Sequence, residues 1–541
     1  MQFLHMPHHT SPIRRACFFL RKINYSFQRH AYVIDSRQAR RRAPFRMAVV
    51  GAGPAGFYTA HRVLSKIQDA RVDMFERWPT PYGLTRYGVA PDHAEVRKCQ
   101  EKFKDIAGSP NFTYIGNVAV GQGVNSVPLK NLLPHYDAIV FAYGASKDRK
   151  LGIPGEDQLD GVYSARSFVG WYNGLPESTA PVPDLTATKE AIIIGQGNVA
   201  LDIARIILTD PESLKNTDIP ENVLAALRES KIERIRIIGR RGLVQAAFTI
   251  KEIRELGSLS NVAIECVPDF LMPDEHTINT LPRARKRLIN YIRDNFVENR
   301  AALASISLPT LPPDSRSSSV ACEYSSQNKR LLTFDFNLTP KSFNSKSTCP
   351  NKLGTVTFER TALLPNPFNV EAKAIGTGET VEIQSSLVFT SIGYVAEALS
   401  GFEEVGIPFD EHRGVIPSDH FGRVKKNNGL IIPGMYCSGW VKTGSTGVIA
   451  NTMQDAFSTA DSIIEDWKNV DTPFLSSENP EEILLGWKGV CKDVKVKQLC
   501  RPITWDDWQI IDSDERANGL KSGKDREKFT SVENMLAALE K

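Results

Sequence analysis

The chain has 541 residues and a formal net charge of +4, a length that exceeds one hydrophobic core and predicts two or three domains. No apolar run approaches the length that spans a bilayer, so no transmembrane helix is expected. The small net charge hides an asymmetry: residues 1–46 carry ten Lys or Arg against the single acid Asp35, which leaves the remainder mildly acidic and gives no reason to expect a nucleic-acid partner.

That leader is basic, nearly acid-free and interleaved with Phe18, Phe19, Leu20, Ile23, Tyr25 and Phe27. It lacks the uninterrupted apolar stretch of a secretory signal. Its pattern is that of an organellar targeting peptide, most simply mitochondrial, with a basic arm for RNA or anionic lipid as the alternative. The first strand is expected at Ala48-Val49-Val50. It enters Gly51-Ala52-Gly53-Pro54-Ala55-Gly56, and Phe57–Leu64 then reads as a helix. In such a strand–turn–helix, Gly51 permits the tight turn, Gly53 lets a pyrophosphate approach the backbone, and Gly56 allows helix and strand to pack closely. A second strand, Arg71–Phe75, ends at Glu76, an acid placed to accept hydrogen bonds from an adenosine ribose.

Pro79 to His93 is loop chemistry with aromatic and charged side chains, equally suited to wrapping a planar ring or to an ordinary connection. A helix is predicted over Glu95–Ile106, then strands near Phe112–Ile115 and Ala138–Ala142. At Ala191–Ile194 a second apolar strand runs into Gly195-Gln196-Gly197-Asn198-Val199-Ala200, followed by a helix to Leu208. The next strand, Ile235–Ile238, ends in Gly239-Arg240-Arg241-Gly242. Two guanidiniums where a carboxylate would read NAD argue for a 2′-phosphate, hence NADP(H). FAD in the first site and NADPH in the second would permit hydride transfer to a flavin.

Arg283-Ala284-Arg285-Lys286-Arg287 opens a further helix and forms a positive patch, either a solvated face or a surface for an acidic partner. Residues 303–352 are rich in Ser, Pro and Asn and read as a poorly ordered insertion around one strand, Leu331–Leu338. Strands Leu387–Ile392 and Gly434–Ser438 end in glycine, and Gly444–Ala450 reads as another helix start on which a flavin could rest. The first domain is therefore expected to be discontinuous. Residues 1–46 form the targeting peptide, 47–146 the first part of the FAD domain, 147–385 the NADP domain with its insertion, and 386–541 the second part with a C-terminal extension. The eight cysteines (17, 99, 266, 322, 349, 437, 491, 500) contain no Cys-x-x-Cys. This spacing offers no common redox dithiol, zinc site or iron–sulfur cluster, and no metal site is expected.

Together these stretches resemble the adrenodoxin reductase family, the mitochondrial NADPH–ferredoxin reductases and their bacterial relatives. The matching stretches are Val50–Ala60, Tyr82–His93, Ala165–Leu175, Gly195–Leu208, Gly239–Glu255, Ser391–Tyr394 and Tyr436–Ile449. Within the tail, Trp505–Trp508 and Lys528–Met535 are similar to the extension of some bacterial members. The resemblance implies an α/β fold of two Rossmann-like nucleotide-binding domains, like glutathione reductase without its dimerisation domain. It places FAD on Ala55, Glu76, Leu84, Val120, Trp440, Gly447, Val448 and Ile449, and NADP on Gln196, Gly197, Asn198, Val199, Arg240, Arg241, Glu252 and Gly447. It puts an acidic [2Fe-2S] ferredoxin on Arg283, Arg285, Lys286 and Arg287, and His93 and Asp202 in supporting roles near the flavin. A monomer in the mitochondrial matrix is implied, with a peripheral contact to the inner membrane left open. The loop after Trp440 departs from the family: Thr443 and Ser445 stand where Arg and Pro are usual, which removes one cation and one fixed φ. The competing functions are an NADPH-dependent flavin monooxygenase or oxidase on a small molecule, and a non-catalytic flavin-binding assembly factor.

Overall fold

The computed structural model describes residues 44–123, 125–176, 182–265, 267, 271–296, 330–475 and 484–541. The basic leader to residue 43 and residues 303–329 of the Ser-rich stretch lie outside the described residues. The described chain divides into two compact units.

The first unit comprises residues up to 81, 101–145 and 396–505. Its six-stranded sheet has the order 423–425, 431–437, 138–141, 46–50, 71–75, 112–115, parallel throughout except at the first edge strand. Such strands are buried on both faces, which explains the near-continuous apolar runs Met47–Val50 and Ala138–Phe141. The helix Pro54–Lys66 leaves the central strand Arg46–Val50 with proline in its first turn, where a missing N–H costs nothing. The adjacent strands 46–50 and 138–141 pair in parallel, so their carboxyl ends lie at the same edge of the sheet, the edge at which such sheets hold ligands.

The second unit comprises residues 82–100, 146–395 and 506–541. Its sheet has the order 262–264, 330–335, 234–238, 190–194, 388–390, 162–164, with every pairing parallel. A three-stranded antiparallel sheet, Leu338–Lys346, Cys349–Leu364 and Lys373–Gln384, follows the strand Arg330–Asp335.

Three expectations are corrected here. The strand expected at Leu331–Leu338 is present as Arg330–Asp335, within the second sheet, whereas the residues after it to 352, expected to be poorly ordered, form one strand of a hairpin and begin the next. The chain returns to the first unit at residue 396, not 386. Val388–Thr390 pairs with Ile192–Ile194, so its hydrogen bonds and its apolar side chains belong to the second sheet. The segments 82–100 and 506–541 also group with the second unit, for reasons of buried charge. Arg86 donates from Nη2 to both carboxylate oxygens of Glu515 at 2.6 and 2.7 Å and lies over the Trp508 ring. Arg526 pairs with Glu515 and Asp512. Further along, Asp218 pairs with both Arg97 and Lys528, which hold its carboxyl well below the usual range. Lys528 also donates to the Asn173 carbonyl at 3.1 Å. Breaking a buried pair of this kind typically costs about 3–5 kcal/mol.

Candidate nucleotide sites

At the first turn, Gly51 has φ 107° and donates to the Phe75 carbonyl at 2.8 Å. A Cβ there would lie 2.6 Å from the Ala142 carbonyl oxygen, and one on Gly56 would lie 2.2 Å from the Gly51 oxygen. Only Gly53 is different: a Cβ on it would meet nothing within 4 Å. The middle glycine therefore faces open space, and its missing side chain serves whatever approaches the backbone there. Glu76 is buried, and its two oxygens accept from Ala52 N at 3.0 Å and Trp78 N at 3.2 Å. Burial pushes its carboxyl above the ordinary range against those bonds. Each oxygen keeps acceptor capacity for a ribose hydroxyl.

In the same unit Ala55 packs against Gly439, whose own Cβ would sit 2.6 Å from the Ala55 methyl carbon. Gly439 N donates to Asp455 at 2.7 Å, and Lys442 pairs with the other oxygen of Asp455 at 2.7 Å. Trp440 Nε1 donates to the Thr446 carbonyl at 3.2 Å, and the Thr443 hydroxyl donates back to Gly439 O at 3.2 Å. The loop that lacks the family's proline is thus tied by side-chain bonds. Gly447 at φ 83° and the exposed Val448 lead into the helix Ile449–Lys468, while Val120 is buried on a short strand.

In the second unit the turn repeats the arrangement. Gly195 has φ 127° and a Cβ on it would lie 2.0 Å from the Ser391 oxygen, whereas a Cβ on Gly197 would meet nothing within 4 Å. Ala200 is fully buried where the first turn has its third glycine. Gln196 O accepts from Ala247 N at 2.7 Å and Asn198 Oδ1 accepts from Thr249 N at 2.9 Å, so the segment 246–249 backs this turn. Arg240 is exposed and Arg241 half-buried; among the described residues neither guanidinium pairs with a carboxylate. By contrast Arg236, on the preceding strand, is spent on Asp335 in a two-bond pair. Open space over Gly53 and Gly197, an acid at one turn and unpaired guanidiniums at the other fit an FAD and an NADP(H) respectively.

A polar cluster lies in the second unit. His93 Nε2 is 2.8 Å from Glu255, and Arg205 bridges Asp202 and Asp92. Burial pushes the Asp202 carboxyl up. Glu252 is pushed up to about 7 by burial and by the charges of Asp202 and Glu255, and its Oε2 has no hydrogen-bond partner. A buried acceptor left open in this way suits a ligand amide or hydroxyl. The structure brings His93, Asp202 and Glu252 together, and Leu84 lies on the short helix Leu84–Tyr87 of the same unit. Sequence reasoning did not single out Glu255, Arg205 and Asp92. Glu255 sits three residues from Glu252 on the helix Ile250–Gly257, a same-face spacing that could have flagged it.

The basic stretch is divided by its helix, Arg283–Phe296. Arg283 and Arg287 are exposed, while Arg285 and Lys286 are half-buried. Arg285 donates to the Ala246 carbonyl and Lys286 to Asn279 Oδ1.

Residues 45–225 match the family model described as pyridine nucleotide-disulphide oxidoreductase. The chain is 40% identical over 495 residues to the probable mitochondrial NADPH:adrenodoxin oxidoreductase of Schizosaccharomyces pombe, covering 91% of this chain and 94% of the relative. It is 38% identical to the human mitochondrial NADPH:adrenodoxin oxidoreductase over 91% of each chain. Among solved structures, FprA of Mycobacterium tuberculosis in complex with NADPH is similar with a TM-score of 0.76 at 32% identity, covering 92% of this chain and all of FprA. With both turns, the arginine pair and near-complete coverage in agreement, the chain belongs to the NADPH:adrenodoxin oxidoreductase family.

Proposed function

We propose that this protein oxidises NADPH at its second turn and passes the electrons singly, through FAD held at its first, to an acidic [2Fe-2S] ferredoxin. The observation that carries the reading is the pairing of a buried, hydrogen-bonded Glu76 at one turn with unpaired Arg240 and Arg241 at the other. When bound, NADPH supplies a hydride and the flavin converts it to one-electron steps. The chain's own part is placement. Gly53 and Gly197 open the backbone to pyrophosphate, and Glu76 and the arginines select ribose chemistry. Leu84, Val120, Trp440 and the Gly447–Ile449 helix start are assigned to FAD, and Gln196–Val199, Glu252 and Gly447 to NADP. His93 and Asp202 are assigned supporting roles near the flavin, with His93 oriented by Glu255 and Asp202 by Arg205.

The exposed Arg283 and Arg287, four residues apart on one helix face, support docking of an acidic carrier, with Lys286 beside them. The basic leader and the names of the mitochondrial relatives support a mitochondrial location, in the matrix. Among the described residues no helix is long and apolar enough to cross a membrane. A monomer is assigned by family likeness.

The test is an anaerobic absorbance titration of the purified protein with NADPH and, separately, NADH, followed by an acidic [2Fe-2S] ferredoxin. Bleaching of the flavin band by NADPH in preference to NADH, and its return as ferredoxin is reduced, is the expected result. Bleaching that ferredoxin does not reverse moves the assignment to a monooxygenase or oxidase, and failure of NADPH to bleach the band moves it to a non-catalytic flavin protein.

A further inference from the structure

Arg285 stands apart from the other cations of its helix. Two positions along a helix correspond to about 200° of rotation, so Arg285 points away from Arg283 and Arg287. Its Nη1 donates to the carbonyl of Ala246, a residue only 1% exposed. The next residues, Ala247 and Thr249, bind Gln196 and Asn198 of the second glycine turn. Arg285 is therefore anchored to the segment that backs the nucleotide loop, with the rest of its five-donor fork uncommitted. Ala246 also closes the short helix Leu243–Gln245 that begins directly after Arg240, Arg241 and Gly242, its N–H donating to Leu243 O at 3.1 Å, so the bond to its carbonyl holds Arg285 beside the segment that carries the arginine pair. Burial and the charge of Arg241 push the Arg285 guanidinium below the ordinary arginine value. Among the described residues neither of them has a carboxylate partner. Guanidiniums gathered on one segment with no carboxylate partner repel one another, and a dianionic phosphate monoester among them offsets that repulsion while using the fork geometry.

We propose that Arg285 is a specificity-determining residue of the second nucleotide site, adding a third guanidinium to Arg240 and Arg241 around the 2′-phosphate of NADPH. The inference rests on the reading that those two arginines receive that phosphate. It divides the basic helix into two functions: Arg283 and Arg287 face outward for the carrier, and Arg285 faces inward for the nucleotide.

The experiment uses the FAD-loaded protein and measures binding of 2′,5′-ADP and of 5′-AMP by calorimetry for the parent, Arg285→Met, Arg285→Lys and Arg241→Met. Binding of an acidic ferredoxin at low salt is measured alongside. Arg285→Met is expected to weaken 2′,5′-ADP by about tenfold or more, the usual worth of one charge-assisted hydrogen bond, and to leave 5′-AMP unchanged. Arg285→Lys recovers part of the loss because it keeps the charge and gives up the fork. If Arg285→Met binds 2′,5′-ADP as the parent does while Arg241→Met does not, Arg285 has no phosphate role and the arginine-pair reading survives. If Arg241→Met is also indifferent, that reading fails with it. An equal loss of 5′-AMP, or a loss of ferredoxin binding alone, would likewise overturn the assignment.

Discussion

The two glycine turns share a backbone and differ in what closes them. At both, the first glycine is forced by a positive φ and by a carbonyl within 2.6 Å of where a Cβ would stand, and the middle glycine faces open space. The first turn ends on Glu76, buried and already bonded to two backbone N–H groups; the second ends on Arg240 and Arg241, which have no carboxylate partner among the described residues. A preorganised acid in a buried setting suits a nucleotide that stays. Unpaired guanidiniums near solvent suit one that arrives by charge and leaves again. On the function proposed above, one backbone device is set for retention or exchange by the side chains at the end of the following strand.

The largest effects should come from the shared backbone. Gly51→Ala and Gly195→Ala are each expected to cost about 3 kcal/mol or more, from a strained φ and a displaced carbonyl, read as a fall in the midpoint of thermal or denaturant unfolding. Gly53→Ala is the sharper probe: its Cβ has room, so the apoprotein should unfold at the parent's temperature while FAD retention is lost. If Gly53→Ala destabilises the apoprotein as much as Gly51→Ala does, the middle glycine is structural.

Next in size is the end of the second turn. Replacing Arg240 and Arg241 together by Met should lower the preference for NADPH over NADH by on the order of a hundredfold, two charge-assisted hydrogen bonds' worth, measured as the ratio of kcat/KM values. Glu76→Gln should weaken FAD binding by about tenfold, because an amide presents a donor to one of the two N–H groups that the carboxylate accepts from. A smaller effect is expected in the pH dependence of NADPH binding. Glu252 titrates near 7 in the folded protein. Above that pH it is ionised beside Asp202 and Glu255, so binding of the anionic nucleotide should weaken as pH rises through about 7. The sign for stability is the same: between its ordinary value and 7 the folded state holds a proton that the unfolded chain has released, so this group's contribution falls as pH rises. Glu252→Gln should remove that limb from the binding profile, and a profile unchanged by the substitution would separate Glu252 from the nucleotide.

Much of this contrast was legible in the sequence because it is local. A strand, a spaced glycine run and the residue after the next strand lie within a few dozen positions, and each has a steric or electrostatic reason to be what it is. What was not legible depends on distance. Arg86 and Glu515 are 429 positions apart, and nothing near either announces a buried ion pair that ties 82–100 and the C-terminal segment into one unit. Strand Val388–Thr390 carries an apolar pattern that serves either sheet, and only its pairing with Ile192–Ile194 decides. Residues 338–352 have the polar composition of a loop because the hairpin they begin has exposed positions along much of its length. The split of the basic helix was readable in principle from its period, since residues two apart cannot share a face. The partner of Arg285 on segment 246–249 was not.

The claim that one turn retains its nucleotide and the other exchanges is tested most directly by loading the protein with FAD and NADP+ together, passing it over a desalting column and assaying both nucleotides in the protein fraction. The account predicts FAD near one per chain and NADP+ essentially gone. Equal loss of the two, or NADP+ retained while FAD is lost, would contradict it.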